Sequence, residues 1–263
     1  MRDARALVVW VIAMDEYEKV FQTVTSVVLG RKLAGHADYE RWLTRQVSSM
    51  GKARSVMSGK PVIFPEFEFF NAITHKMLTL EEAYEVAGKK HLSEEQVRGL
   101  SLANAAETLK DISITTPETI MGTCSMIKEC AMYYDSTICY KSALMNTTKG
   151  SLYTYWPRHS EYVLGCHYAF SCNFCIRCFY SENLTRCFEV SDSANCSDCY
   201  FCYNCENLQD SMFCFNTKSK KHAIANVELP REKYKEIKQK VLDSIVKKLE
   251  KDKTLDASIF SLS

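Results

Sequence analysis

The chain has 263 residues, enough for one large domain or two ordinary ones with a sizeable core. Its 33 basic and 32 acidic residues leave a formal charge of +1, so no strong global field draws it to nucleic acid or to a membrane surface. Glycine is scarce, 9 of 263 or about 3% against a usual ~7%, and G-x-G-x-x-G, P-loop, G-x-S-x-G and H-E-x-x-H are all missing, which sets aside the common nucleotide-binding, hydrolase and zincin classes.

The opening stretch, MRDARALVVWVIAM, joins a basic start to a nine-residue apolar run at residues 6–14. DEYEKV follows where a small-residue cleavage site would stand, and the run is far short of the ~20 apolar residues of a spanning helix. It reads as the start of a buried strand or helix, which leaves the cytoplasm as the expected compartment. Thirteen cysteines there stay mostly reduced or metal-bound, and an odd count fits poorly with complete internal pairing.

Residues 1–116 read as a mainly helical domain, with no cysteine before Cys124. DEYEKVFQTVTSVVLGRKL carries apolar residues near helical spacing and meets Gly30, and HADYERWLTRQVSSMGKARSVM is a second amphipathic candidate. KPVIFPEFEFF is extended and bounded by prolines. TLEEAYEVAGKK opens with a Thr cap and early acids, and LSEEQVRGLSLANAAETLKDI opens with Ser93 and Gln96 spaced as a capping box. This half either binds a partner or supports the cysteine-rich region after it; support is the simpler expectation.

After Thr116-Pro117 the texture changes, and residues 117–227 are rich in cysteine, serine, threonine and aromatics. Residues 228–263 then form a C-terminal amphipathic helix and tail. Pro230 sits near the helix start, and Tyr234, Ile237, Val241, Ile245 and Leu249 make one apolar stripe. Between Lys218 and Lys253 there are 12 Lys/Arg and 6 Asp/Glu, a net +6, read as a solvated basic face before a phosphate-binding tail.

The cysteines at 124, 130, 139, 166, 172, 175, 178, 187, 196, 199, 202, 205 and 214 share one phase, because every spacing is a multiple of three. The phase extends to other residues. None of the 33 every-third positions from Met121 to Thr217 is charged, and all 15 charged residues of that span stand at the other two phases. A position that excludes charge and takes small side chains is an interior one, since an unpaired buried charge is costly, and cysteine suits it as a small, weakly polar residue. SENL at 181–184 recurs as CENL at 205–208, and the same shift of 24 carries Cys172, Cys175 and Cys178 onto Cys196, Cys199 and Cys202. These repeats predict a parallel β-solenoid of about four coils of about 24 residues, ahead of a bundle of polyproline-II helices, which needs more glycine. Open coil ends invite aggregation, so the flanking helices are expected to cap them. The fold class expected is α+β: helical domain, parallel β-solenoid, C-terminal capping helix.

Two pairs of C-x2-C, Cys172 with Cys175 and Cys196 with Cys199, have zinc-ribbon spacing. A lattice that prefers cysteine every third residue produces such pairs without metal. CSDCYFCYNC lacks the wide last gap and the proline of a ferredoxin run. With 24-residue coils, Cys172/Cys196, Cys175/Cys199 and Cys178/Cys202 would stack one strand apart, ~4.8 Å, within disulfide reach. A reduced thiol core is the leading reading, with no cofactor, and zinc on Cys172, Cys175, Cys196 and Cys199 belongs to the alternative. His159 and His167 have no catalytic constellation, and His167 and Cys166 point to opposite faces of a strand. Phe170, Phe179, Phe188, Tyr200, Tyr203 and Phe215 share another phase and are expected to pack beside the ladder or under a cap, ahead of a stacking role toward a ligand.

NCSDCYFCYNCENLQDSMFCFNTKSKKHAIANVELPREKYKEIKQKVL resembles the cysteine-triplet proteins of uncultivated prokaryotes and phages, with its C-x2-C run, Asn/Lys segment and charged helix. The resemblance covers residues 166–241. Members often begin with a C-x2-C zinc ribbon; this chain has none, and its early triplets use Ser, Thr and Met where relatives use Cys. The function expected is a non-enzymatic structural or protein-interaction scaffold, with a protein partner or self-association. The alternative is a thiolate metal-binding (zinc or iron–sulfur) or redox-active protein using the 172–205 ladder.

Overall fold

The computed structural model describes residues 4–262, with side chains from Glu16 onward. Helix α1 (Ala4–Leu29) takes the apolar run and the amphipathic segment into one element and stops at Gly30. The expected burial of residues 6–14 concerns side chains outside the described residues.

The second expected helix is mostly something else. HADY forms a 3-10 turn and ERWL a single helical turn, α2 (Glu40–Leu43). The chain then extends into β1 (Met50–Arg54), antiparallel to β2 (Pro61–Pro65). Gly51 decides this locally: it favours a helix interior least among residues other than proline, and it lets the Phe64 ring lie where a side chain would stand. After α3 (Glu68–Ala72), the helices α4 (Leu80–Val86) and α5 (Glu94–Arg98) both start at complete capping boxes, Thr79 with Glu82 and Ser93 with Gln96. The third expected helix is short, because α5 ends at Gly99 and only the turn α6 (Ala105–Thr108) follows.

A parallel β-solenoid of about nine turns then occupies residues 120–224. It starts with β3 (Ile120–Met121) and β4 (Ser125–Lys128), and most later coils add two four-residue strands. The coil is twelve residues long, not 24. Ser125 pairs with Thr137, Thr137 with Lys149, Lys149 with Glu161 and Glu161 with Asn173, and the same register runs from Ser197 through Gln209 to Lys221. The 24-residue repeat is two coils. It arises because successive coils alternate small and large side chains in one interior column, Cys172, Leu184, Cys196 and Leu208, which packs each bulky residue between smaller ones.

Four triplets make the coil. In each triplet the first residue points inward, and the third turns the corner in the left-handed region. Every third residue from 126 to 225 has positive φ, and all but Gly150 and Gly165 carry side chains. That conformation costs an L-residue about 1–2 kcal/mol; asparagine and aspartate tolerate it best and become frequent from Asn183 onward. Gly165 stands out for a different reason: the Leu43 carbonyl of α2 lies 2.6 Å from where its Cβ would be. Approach of the helix, rather than the dihedral angle, requires glycine there.

The helices cover a flank rather than the two ends. One outward column, Tyr140, Leu152, Leu164, Ile176, Phe188, Tyr200 and Met212, repeats every twelve residues and is buried under α1 and α7 (Arg231–Asp252). Tyr17 stacks on Tyr140 at 5.2 Å, while the Val28 carbonyl accepts from the Tyr200 hydroxyl at 2.8 Å, so α1 runs along the stacking axis. Helix α7 begins against the last coil and buries Tyr234, Ile245 and Leu249 of the expected stripe, joined by Leu242 and Val246. Pro230 is its N-cap, one position before the first turn. The turn α8 (Ile259–Leu262) returns to the middle coils.

Candidate functional site

The interior explains why thiols stand where valine or alanine would also fill the space. An inward Cys or Ser reaches two carbonyls, two residues earlier and nine later. Cys166 Sγ donates toward Leu164 O (3.5 Å) and Cys175 O (3.7 Å), and Ser142 Oγ toward Tyr140 O (3.0 Å) and Ser151 O (3.2 Å). The same atom accepts the N–H of the inward residue one coil on. Cys178 N–H donates to Cys166 Sγ (3.4 Å), Cys172 N–H to Ser160 Oγ (3.1 Å) and Cys205 N–H to Ser193 Oγ (3.1 Å). Corner N–H groups that point inward thus find acceptors within a dry core. Cysteine supplies this with an otherwise apolar side chain.

All thirteen cysteines are free, and all but Cys124 and Cys130 are buried. Desolvation pushes the half-buried Cys130 and the buried Cys205 up to about 12 and Cys139 well above the ordinary thiol range, whereas hydrogen bonds from neighbouring thiols outweigh burial and hold Cys178, Cys187 and Cys202 below it. A thiol held protonated is a poor nucleophile and a poor ligand.

The four predicted zinc ligands do not meet. Cys172 and Cys175 lie on adjacent sides of one coil, and Cys196 and Cys199 lie two coils further on, about 9.6 Å along the stack, with Leu184 between Cys172 and Cys196. Among the described residues no group of three or more Cys, His, Asp and Glu is placed to hold a metal ion. The proposed stacked pairs Cys172/Cys196, Cys175/Cys199 and Cys178/Cys202 are likewise two coils apart, beyond the ~7 Å that a disulfide spans. The neighbours one coil apart are Cys166/Cys178, Cys175/Cys187, Cys187/Cys199 and Cys202/Cys214, linked by thiol–thiol hydrogen bonds.

Outside, one corner column is partly buried at Trp156 and Tyr168 and exposed from Tyr180 onward. Trp156, Tyr168 and Tyr180 occupy the corner column of successive coils and stack at 4.9 and 5.1 Å. The Arg158 guanidinium lies over Trp156 (5.2 Å) and Phe170 (5.5 Å). Beyond Tyr180 the column continues as Asp192 and Asn204, and Asn204 Nδ2 donates to Asn216 Oδ1 (2.8 Å). Tyr168, Phe170, Tyr180, Asp192 and Asn204, with Glu182, Glu206 and Lys218, line an open trough of about 630 Å³ along the stacking axis. Among the aromatics expected to pack away, Phe179, Phe188 and Tyr200 are buried, whereas Phe170 lines the trough. His167 points outward, 3.3 Å from Ser48 Oγ, away from Cys166.

Sequence reasoning missed the aromatic column, although Trp156, Tyr168 and Tyr180 are spaced by twelve and a twelve-residue coil would have aligned them. It also missed an ion pair of zero exposure, Arg177 with Glu189. No family model matches the chain, and no curated protein matches it.

Proposed function

We propose that this protein is a non-enzymatic interaction scaffold whose cysteines are structural and whose open flank takes a protein partner. One observation carries the reading: the helices bury one flank of the solenoid, while the corner column that starts in the partly buried Trp156 and Tyr168 runs on exposed through Tyr180, Asp192 and Asn204. Half-buried aromatic rings under the exposed Arg158, with the exposed Tyr180 beside them, have the composition of an interface centre. The inward placement of the thiols and their hydrogen bonds to backbone carbonyls support a packing role over a redox or metal role, and thirteen free thiols suit a reducing compartment such as the cytoplasm. No helix among the described residues is long and apolar enough to cross a membrane.

A photo-crosslinking side chain in place of Tyr180, compared with one in place of Lys235 on the outer face of α7, tests this in intact cells. A discrete protein adduct at position 180 and none at 235 is the expected result. Equal labelling at both positions, or none at 180, would contradict it.

A further inference from the structure

The two ends of the solenoid are built differently. At the C-terminal end the chain folds back, and Val227–Glu228 pairs antiparallel with the last coil at Ile224 and Ala223. Asn226 acts as a substitute rung: its Oδ1 accepts from Phe215 N–H (3.0 Å) and its Nδ2 donates to Phe215 O (2.8 Å). Glu228 Oε1 takes the N–H of Lys221 (2.9 Å). Lys218, Lys220 and Lys221 add charge at that edge. Charge and a covered ladder are the usual protections of a strand edge.

The N-terminal end has, among the described residues, no covered ladder, and between Glu118 and Lys128 no charge. Among the described residues, β3 and β4 are the outermost strands of their sheets, each with a neighbour on one side only. Ile120, Met121 and Met126 are 42%, 55% and 42% exposed. The interior also opens there: Cys124, Ile127 and Cys130 are half-buried, whereas Ser136 and Cys139 one coil on are fully buried. Among the described residues, α1 reaches this coil through the Tyr17 hydroxyl, 3.1 Å from the Met126 carbonyl. Residues 119–127, TIMGTCSMI, carry no charge at all.

We infer that the first coil is a dimer interface, joined head to head with the first coil of a second copy of this chain. A two-fold axis across the stack would set each open edge antiparallel to its own copy, so that backbone ladder meets backbone ladder. Identity of the partner is favoured on three grounds. A coil with a corner every third residue matches the outline of another such coil. An edge that faces itself meets like charge wherever it carries charge, and this edge carries none from Thr119 to Ile127, its first charge being Lys128 at the end of β4. Because the opposite end is folded over by Val227–Glu228 and Asn226 and carries Lys218, Lys220 and Lys221, the association stops at two chains rather than growing into a fibre. A lipid surface would cover the methionines but leave the strand's N–H and C=O groups without partners. The inference names the self-association within the scaffold reading and uses a surface separate from the trough.

Sedimentation equilibrium of the full chain, with iodoacetamide labelling of Cys124, tests it. The wild type should have twice the 30.1 kDa monomer mass, with Cys124 labelling slowly. Met121→Arg/Met126→Arg, at exposed positions, should halve the mass, leave the circular dichroism unchanged and speed Cys124 labelling severalfold. Tyr180→Arg, in the trough, should remain dimeric, so failure of the flank reading and failure of the dimer are told apart. A monomeric wild type, a double variant that stays dimeric, a mass that keeps rising with concentration, or co-flotation of a monomer with phosphatidylcholine vesicles would each overturn the inference. If the double variant fails to fold, the wild-type mass and its Cys124 labelling still decide.

Discussion

Replacing Arg177 with methionine is expected to cost about 3–5 kcal/mol of folding stability, because it strands a buried carboxylate. Arg177 and Glu189 face each other from adjacent coils, twelve residues apart in one outward column, and neither is exposed at all. The guanidinium also donates to the Trp42 carbonyl and to Gln46, which ties the solenoid to the segment after α1. The carboxylate takes the Ile259 N–H (3.0 Å) and the Ser258 hydroxyl (3.2 Å), which holds the C-terminal turn. One ion pair therefore joins three parts of the chain. Urea unfolding of Arg177→Met and of Arg177→Met/Glu189→Met checks it. The double variant should regain much of the loss, since removing both charges avoids the stranded one, as seen for other buried pairs. A single variant that loses under about 1 kcal/mol would mean that the carboxylate reaches water or a proton.

Cys178 tests why the lattice uses thiols. Its sulfur accepts the N–H of Val190, one coil on, and lies 3.7 Å from the Ile176 carbonyl. Cys178→Ser keeps a donor and an acceptor at that point, and its midpoint in urea should stay close to the wild type. Cys178→Ala and Cys178→Val leave the Val190 N–H without its acceptor, at a cost of roughly 1–3 kcal/mol each. Valine is the informative one, because it is at least as apolar as cysteine and fills the space. If the valine variant matched the wild type while the serine variant was destabilised, apolar packing alone would explain the interior.

How far the fold can be read from the sequence depends on what the chain writes locally. The triplet phase was legible because a closed interior rejects charge at every inward position, and that rule acts on each residue separately. Both capping boxes were legible for the same reason, being contained within four residues. Coil length was not, since it depends on which triplets stack. The strongest visible repeat, SENL to CENL, reports the alternation of small and large residues in a column, which spans two coils. The strand β1 was hidden because Met50–Arg54 is extended by its pairing with β2 and by the Phe64 ring over Gly51, both tertiary. The zinc-like quartet misled because C-x2-C records one step of the lattice; Cys172 and Cys175 are on different sides of a coil. Of the open flank, Phe170 was visible as an aromatic in phase, but the corner column of Trp156, Tyr168 and Tyr180 needs the twelve-residue coil before it lines up.

The central claim, that the cysteine lattice is a closed and reduced interior, is met most directly by thiol titration of freshly purified protein with and without denaturant. All thirteen thiols should titrate in guanidinium without added reductant, and in the native state the eleven buried thiols should stay unreacted on the fast timescale. Rapid native labelling of Cys175 and Cys199, or fewer than thirteen thiols in denaturant, would contradict it.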